Sequence, residues 1–291
     1  MEKFHITTDS GCDLPTTFCR DRKIYAYRMK YTIDEKEYID SMDPEGCVSF
    51  YNKMRSGAVP HTSQMTPFEF ISFWSEILKK SNLPIVHIAM GSAISGTFAN
   101  ALIAKELFLE SHPKAQIFVV DSTLASIGYG MLCVLAADMR DLGKTPEECV
   151  TRIESLKILI NTYYTTDELK YLYRSGRVKR AEAIVATTLR INPILNLDKE
   201  GHLIVQEKIM GRKRAFNRII EIVKERVTDP ASQTVYICHS DLKAEEVEAF
   251  SKILIDRIGF RDSFISYIGP TIGSHSGPGL IAAFFIGKPR E

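Results

Sequence analysis

The sequence predicts an α/β protein of two closely packed halves, residues 1–160 and 161–291, with a parallel sheet in the first and a mixed sheet in the second. Three observations lead there. Short apolar runs of strand length alternate with longer stretches whose apolar residues recur at helical spacing, the pattern of βαβ units. Runs in the first half end in hydroxyl-bearing turns (Asp9-Ser10, Gly91-Ser92, Asp121-Ser122), where open parallel sheets gather functional groups. In the second half, extended segments 192–195 and 203–205 flank the turn Lys199-Glu200-Gly201, a hairpin signal. At 291 residues the chain can form one large domain or two ordinary ones, and its 45% apolar content supplies a sizeable core. No Gly/Ser/Pro-rich linker separates the halves, which is why they are expected to pack closely.

Phe4 to Thr8 reads as the first strand and Asp9 to Pro15 as the polar turn after it. Asp9 and Ser10 then stand at a strand end, placed for a site; alternatively Asp9 and Asp13 only pin the turn. Tyr25 to Ile33 reads as a second strand, followed by a polar stretch whose Asp40 and Asp43 are expected to be solvated. A helix from Pro44 to Arg55 is closed by Gly57. Pro60 to Glu69 then concentrates hydroxyls, an amide and an imidazole before a helix start. Thr66 is its N-cap, Pro67 its first residue and Glu69 the partner in a capping box. Phe70, Ile71, Trp74, Ile77 and Leu78 give that helix a core-facing side. A polar loop at a helix start suits an anion, through free N–H groups and the helix dipole. The competing reading is that the hydroxyls only brace the turn.

Pro84 to Met90 is a continuous apolar run suited to a buried parallel strand. It delivers Gly91 to Thr97, with Ser95 and Thr97 at the start of a helix through Phe98, Leu102, Ile103 and Leu107. The strand from Gln116 to Val120 ends in Asp121-Ser122-Thr123, and helices follow at 128–139 and 146–158. Asn161 to Thr166 breaks the helical pattern and marks the boundary. The second half opens with a helix over 167–173 that runs into Arg174-Ser175-Gly176-Arg177, then an apolar helix over 181–189. After the hairpin come a helix over 213–227, a strand over 234–238, a helix over 244–258 and a strand over 263–268. Gly-rich turns over 269–279 lead to a last apolar strand, 280–286. His275, flanked by Ser274 and Ser276 in those turns, has little core to fill. A neutral ring there can donate one hydrogen bond to a carboxylate, and a protonated ring adds charge; a bond to a backbone carbonyl is the structural alternative.

Composition excludes several classes. With 37 basic and 36 acidic residues the net charge is +1, which lacks the concentrated basic face that nucleic acid requires. The six cysteines form no C-x-x-C pair and have no histidine at metal-ligand spacing, so a reduced, cytoplasmic setting without a metal site is expected. Met1 to Thr8 reads as a strand rather than a signal peptide, and the apolar runs are too short to span a bilayer. A Ser/His hydrolase has serines (Ser63, Ser95) and histidines (His239, His275) to draw on, but Ala93 and Thr97 stand where the nucleophile elbow around Ser95 needs glycines. No phosphate-binding loop motif occurs.

One ordered set of motifs is specific where each alone is weak. Thr8-Asp9-Ser10 with Asp13-Leu14-Pro15, Thr62-Ser63-Gln64, Ser95-Gly96-Thr97, Asp121-Ser122, Arg174-Ser175-Gly176-Arg177 and Gly273-Ser274-His275-Ser276-Gly277-Pro278-Gly279 together resemble the DegV family, the fatty-acid-binding proteins of bacteria. The resemblance implies a lipid held between or beside two α/β domains. Its carboxylate would meet Thr62 and Ser95 with His275 close by, supported by Ser63 and the turn at Ser276-Gly277. It further implies a non-catalytic, cytoplasmic carrier with no cofactor besides a bound long-chain fatty acid such as palmitate. Such carriers present the acid to a separate ATP-binding kinase subunit and touch the membrane surface transiently. Arg174, Arg177 and Arg212 would face the partner or the phosphate, against the reading that they form a solvated basic face. One departure stands out: Met210 occupies a position where the family usually carries an arginine, with Arg212 or Arg214 available to compensate. The competing functions are an acyl-ester hydrolase using Ser and His, and a carrier of another small carboxylate ligand.

Overall fold

The computed structural model describes residues 3–178 and 191–291; the helix expected over 181–189 lies outside the described residues. The first half is built on four parallel strands in the order β2-β1-β6-β7: β1 (His5–Asp9), β2 (Ile24–Tyr27), β6 (Ile85–Ala89) and β7 (Ile117–Asp121). The helices of this half are α1 (Thr16–Asp21), α2 (Pro44–Arg55), α3 (Pro67–Leu78), α4 (Thr97–Ser111), α5 (Ile127–Asp141) and α6 (Pro146–Leu156). Strands β1 and β6 are buried along their whole length, the signature of a parallel sheet covered on both faces. Helices α3 and α6 begin as their sequences dictate. Thr66 with Glu69, and Thr145 with Glu148, form complete capping boxes, each followed by a proline in the first turn.

The second half carries a six-stranded mixed sheet in the order β10-β9-β8-β13-β11-β12. Its strands are β8 (Ile160–Thr165), β9 (Ile191–Leu197), β10 (Leu203–Met210), β11 (Thr234–His239), β12 (Asp262–Tyr267) and β13 (Ile281–Ile286). Only β11 and β12 pair in parallel; the other neighbours are antiparallel. Helix α7 (Lys170–Arg174) follows β8, α8 (Arg212–Arg226) follows β10, and α9 (Ala244–Ile253) runs on as a π-helical turn to Ile258.

Four expectations are corrected. The run 25–33 does not form one strand: β2 ends at Tyr27, and β3 (Lys30–Ile33) leaves for a separate antiparallel sheet with β4 (Lys36–Ile39) and the two-residue β5 (His61–Thr62). Asn161 to Thr166, expected only to interrupt a helix, is instead mostly β8, fully buried between β9 and β13. Its Thr and Tyr residues favour strands by shape although they lack an apolar alternation. The Gly-rich turns of 269–279 contain a short helix, α10 (Pro270–Ser276), started by a proline and held by Ser274 Oγ donating to the Pro270 carbonyl at 2.7 Å. Finally, Asp40 is not solvated but fully buried, because its carboxylate accepts hydrogen bonds from Thr271 in the other half.

The halves share one core. Phe4, Ile6, Leu14, Val86 and Ile127 from the first belong to the same buried cluster as Leu195, Leu197, Cys238, Leu280 and Phe284 from the second. Polar bonds cross the same surface: Tyr51 Oη donates to the Ile268 carbonyl at 2.8 Å and Ser266 Oγ to the Asp13 carbonyl at 2.6 Å.

Candidate functional site

Between the halves lies a cavity of about 380 Å³, within the roughly 300–1,000 Å³ typical of ligand pockets. One side is polar and opens toward solvent: His61, Ser63, Gln64 and Arg174 line it and are exposed. The other side is apolar: Met90, Leu172, Leu197, Ile268 and Phe284 belong to the shared core and Met29 to a separate cluster of the first half, all buried.

The polar side is assembled by four elements. Strand β5 pairs with Tyr31 and Thr32 of β3, which fixes Thr62 beside α10. Thr62 Oγ1 and His275 Nε2 lie 2.8 Å apart in a hydrogen bond, while His275 Nδ1 is buried without a partner among the described residues. Burial, with Arg177 and His61 nearby, depresses the His275 pKa to about 4, so the ring is neutral at pH 7. Ser95, at the start of α4, bonds Thr97 Oγ1 at 2.8 Å, and the Gly96 backbone packs so closely on Gln64 that a Cβ there would sit 2.5 Å from the amide oxygen. Arg177 completes the ring. It is half-buried, donates to the Ile94 carbonyl at 3.2 Å and to the Ser175 carbonyl, and has no carboxylate partner among the described residues. A desolvated guanidinium without a counter-charge favours an anion beside it.

Of the residues singled out from sequence, Thr62, Ser63, Ser95, His275, Ser276, Arg174 and Arg177 all line this cavity. Gly277 does not, but ends α10 with a positive φ of 74° against the Tyr171 ring. Arg174 lies over that same ring, 5.2 Å from its centre. Arg212 is elsewhere: it pairs with Asp167 at 2.5 Å and Glu246 at 2.7 Å, donates to the Gly279 carbonyl and packs on Phe216. Met210 is 65% exposed at the end of β10. Asp9, a strand-end candidate, is buried off the cavity, where it caps the turn at Gly11 and accepts from Tyr129 Oη at 2.6 Å. Sequence reasoning missed Ser126 and Thr271 on the cavity wall. Ser126 holds a positive φ of 55°, and Thr271 sits in a helix hidden among glycines; neither has a local signal.

A serine nucleophile is not assembled here. His275 carries a threonine, not a serine, on Nε2, and among the described residues no carboxylate meets its Nδ1, so this histidine has no base-orienting partner.

The family model described as "Uncharacterised protein, DegV family" matches residues 3–288. The chain belongs to the DegV family. A DegV domain-containing protein of Clostridium perfringens is 37% identical over 292 residues, covering all of both chains. The structure of DegV from Bacillus subtilis, described as a fatty acid binding protein, is similar with a TM-score of 0.84 and 26% identity over 99% of this chain and 100% of that one. A stearic acid-binding protein from Eubacterium ventriosum matches with a TM-score of 0.86 over 99% of each chain; at 21% identity that likeness speaks for the DegV fold alone. Among the described residues of this DegV chain, no helix is long and apolar enough to cross a membrane.

Proposed function

We propose that this DegV protein carries a long-chain fatty acid in the cavity between its halves and presents the carboxylate to a separate ATP-dependent kinase subunit. The observation that carries the reading is the division of the cavity: a buried apolar side, and a solvent-facing side where Thr62, Ser95 and His275 stand beside Arg177, which meets no carboxylate among the described residues. About 14 methylenes at ~0.8 kcal/mol each give roughly 11 kcal/mol of burial before ordering costs. Charge-assisted bonds from Thr62 and Ser95 then select the acid head, with neutral His275 orienting it and Ser63, Ser276 and Gly277 shaping the surroundings. The fatty acid binding described for the Bacillus subtilis relative supports the same cargo. The chain itself supplies no phosphate-binding loop, so the phosphoryl donor belongs to a partner that approaches the exposed rim at Arg174. Arg212, tied into structural ion pairs, is left out of that role. The carrier works in the cytoplasm without another cofactor and collects its acid at the membrane surface.

Native mass spectrometry of the purified protein, followed by extraction, tests the cargo. A near-stoichiometric C14–C18 acid is expected; a protein that holds none and takes up none when it is added would overturn the reading. Thr62→Ala and Ser95→Ala should each weaken palmitate binding by roughly 1.5–3 kcal/mol, measured by titration calorimetry. Unchanged affinity in both would sink the head-group assignment.

A further inference from the structure

Helix α10 has a sequence poorly suited to stand alone, seven residues with Gly273 inside it, yet it carries His275 to within hydrogen-bond distance of Thr62. What holds it comes from the other half of the chain. Asp40 Oδ2 accepts from Thr271 Oγ1 at 2.7 Å and from the Thr271 backbone N–H at 3.3 Å, and its Oδ1 accepts from the Met42 N–H at 3.1 Å. Because the Thr271 hydroxyl gives its proton to Asp40, its oxygen must accept from Ser10 Oγ, 3.1 Å away. Ser10 Oγ in turn accepts from the Met29 N–H at 3.1 Å. The result is a directed chain, Met29 N–H to Ser10 to Thr271 to Asp40, that runs from one cavity-lining residue to another and ends on a carboxylate buried away from water. Asp13 makes a parallel attachment one residue before the helix, where it accepts from the Gly269 N–H at 2.9 Å.

Building on the carrier reading, we propose that Asp40 is a positioning residue for the lipid head group: it clamps the start of α10 and thereby sets His275 against Thr62. Asp40 does not line the cavity, so changing its carboxylate acts on the ligand indirectly, first of all through the Thr271 bonds that hold the helix. Both of its oxygens face donors. A carboxylate satisfies them all, whereas an amide of the same shape puts its own NH₂ against one of them. Asp40→Asn is therefore a small change in size and a specific change in bonding.

The test compares wild type, Asp40→Asn, Thr271→Val, the double variant and Thr271→Ser, with two readouts. Hydrogen exchange on ligand-free protein should show faster exchange in 270–277 for Asp40→Asn and Thr271→Val, with protection of β1 and β6 unchanged. Palmitate affinity should fall by about tenfold or more, as when one hydrogen bond to a charged group is lost. The double variant should be no weaker than the single ones, and Thr271→Ser, which keeps the hydroxyl, should restore both readouts. Unchanged exchange in 270–277 for Asp40→Asn would overturn the proposal. So would freed exchange with wild-type affinity, or additive losses in the double variant. A wild-type protein that binds no palmitate would instead bring down the carrier reading, an outcome the affinity column shows before any variant is compared.

Discussion

His275 shows how little of a residue's chemistry is set by its type. An exposed imidazole would be partly charged near pH 6.5, but burial beside Arg177 and His61 holds this ring's pKa near 4. Between pH 5 and 8 its contribution is a hydrogen bond, not a charge. Adding palmitate places a carboxylate nearby and should raise that pKa, visible as a shifted histidine titration by NMR; an unshifted titration in saturated protein would place the head group elsewhere. Asp9 is a second case. Its carboxyl is raised from 3.8 to about 6, chiefly by desolvation: Oδ2 is buried and has no partner among the described residues. A raised carboxyl pKa means the folded state holds its proton more tightly. The stability it brings is complete below about pH 4 and lost as pH rises through about 6, a total of roughly 3 kcal/mol. Asp9→Asn should flatten that slope in urea unfolding measured between pH 4 and 7. A variant with the wild-type slope would show that Asp9 titrates normally. The sequence placed Asp9 at a strand end correctly, but whether a strand-end carboxylate meets ligand or Tyr129 depends on α5, more than a hundred residues away.

Elements with strong local signals form where their sequences say. The capping boxes of α3 and α6 satisfy the first N–H groups with nearby side chains, so no distant partner is needed. Strand β8 and helix α10 lack such signals. The first is polar in composition yet buried on both faces; the second is a short, mostly polar stretch with a glycine inside it that packing and the Asp40 carboxylate hold as a helix. The end of α10 is just as dependent on context. Gly277 has φ 74° and ψ 178°, a region open essentially to glycine alone, and a Cβ there would lie 2.1 Å from the Tyr171 ring. Gly277→Ala should cost about 1–3 kcal/mol from the backbone alone and more from the displaced ring, read from chemical denaturation. A loss below half a kcal/mol would mean that the backbone at residue 277 leaves this region and the Tyr171 ring moves aside without cost.

On the scale of the whole molecule, the two halves are expected to unfold together. Their apolar side chains form one cluster across the boundary, and Tyr51, Ser266, Asp13 and Asp40 bond across it. Differential scanning calorimetry should therefore show a single transition, moved upward by palmitate because only the folded cavity binds it. Two separated transitions in the ligand-free protein would show that the shared cluster does not couple the halves. By itself, the sequence determined what depends on residues close together in the chain: the alternation of strands and helices, the capped helix starts, and the hydroxyl-rich strand ends and loops that mark the DegV family. Tertiary structure decided which of those loops meet. Thr62, Ser95, Arg177 and His275 come from four separate segments, and only the packing of the two halves brings them to a single cavity wall. Packing within the second half withdraws Arg212 into ion pairs, and packing of the halves takes Asp40 into the interior. A charged side chain's role follows from the partners and the dielectric around it, and those are properties of the fold.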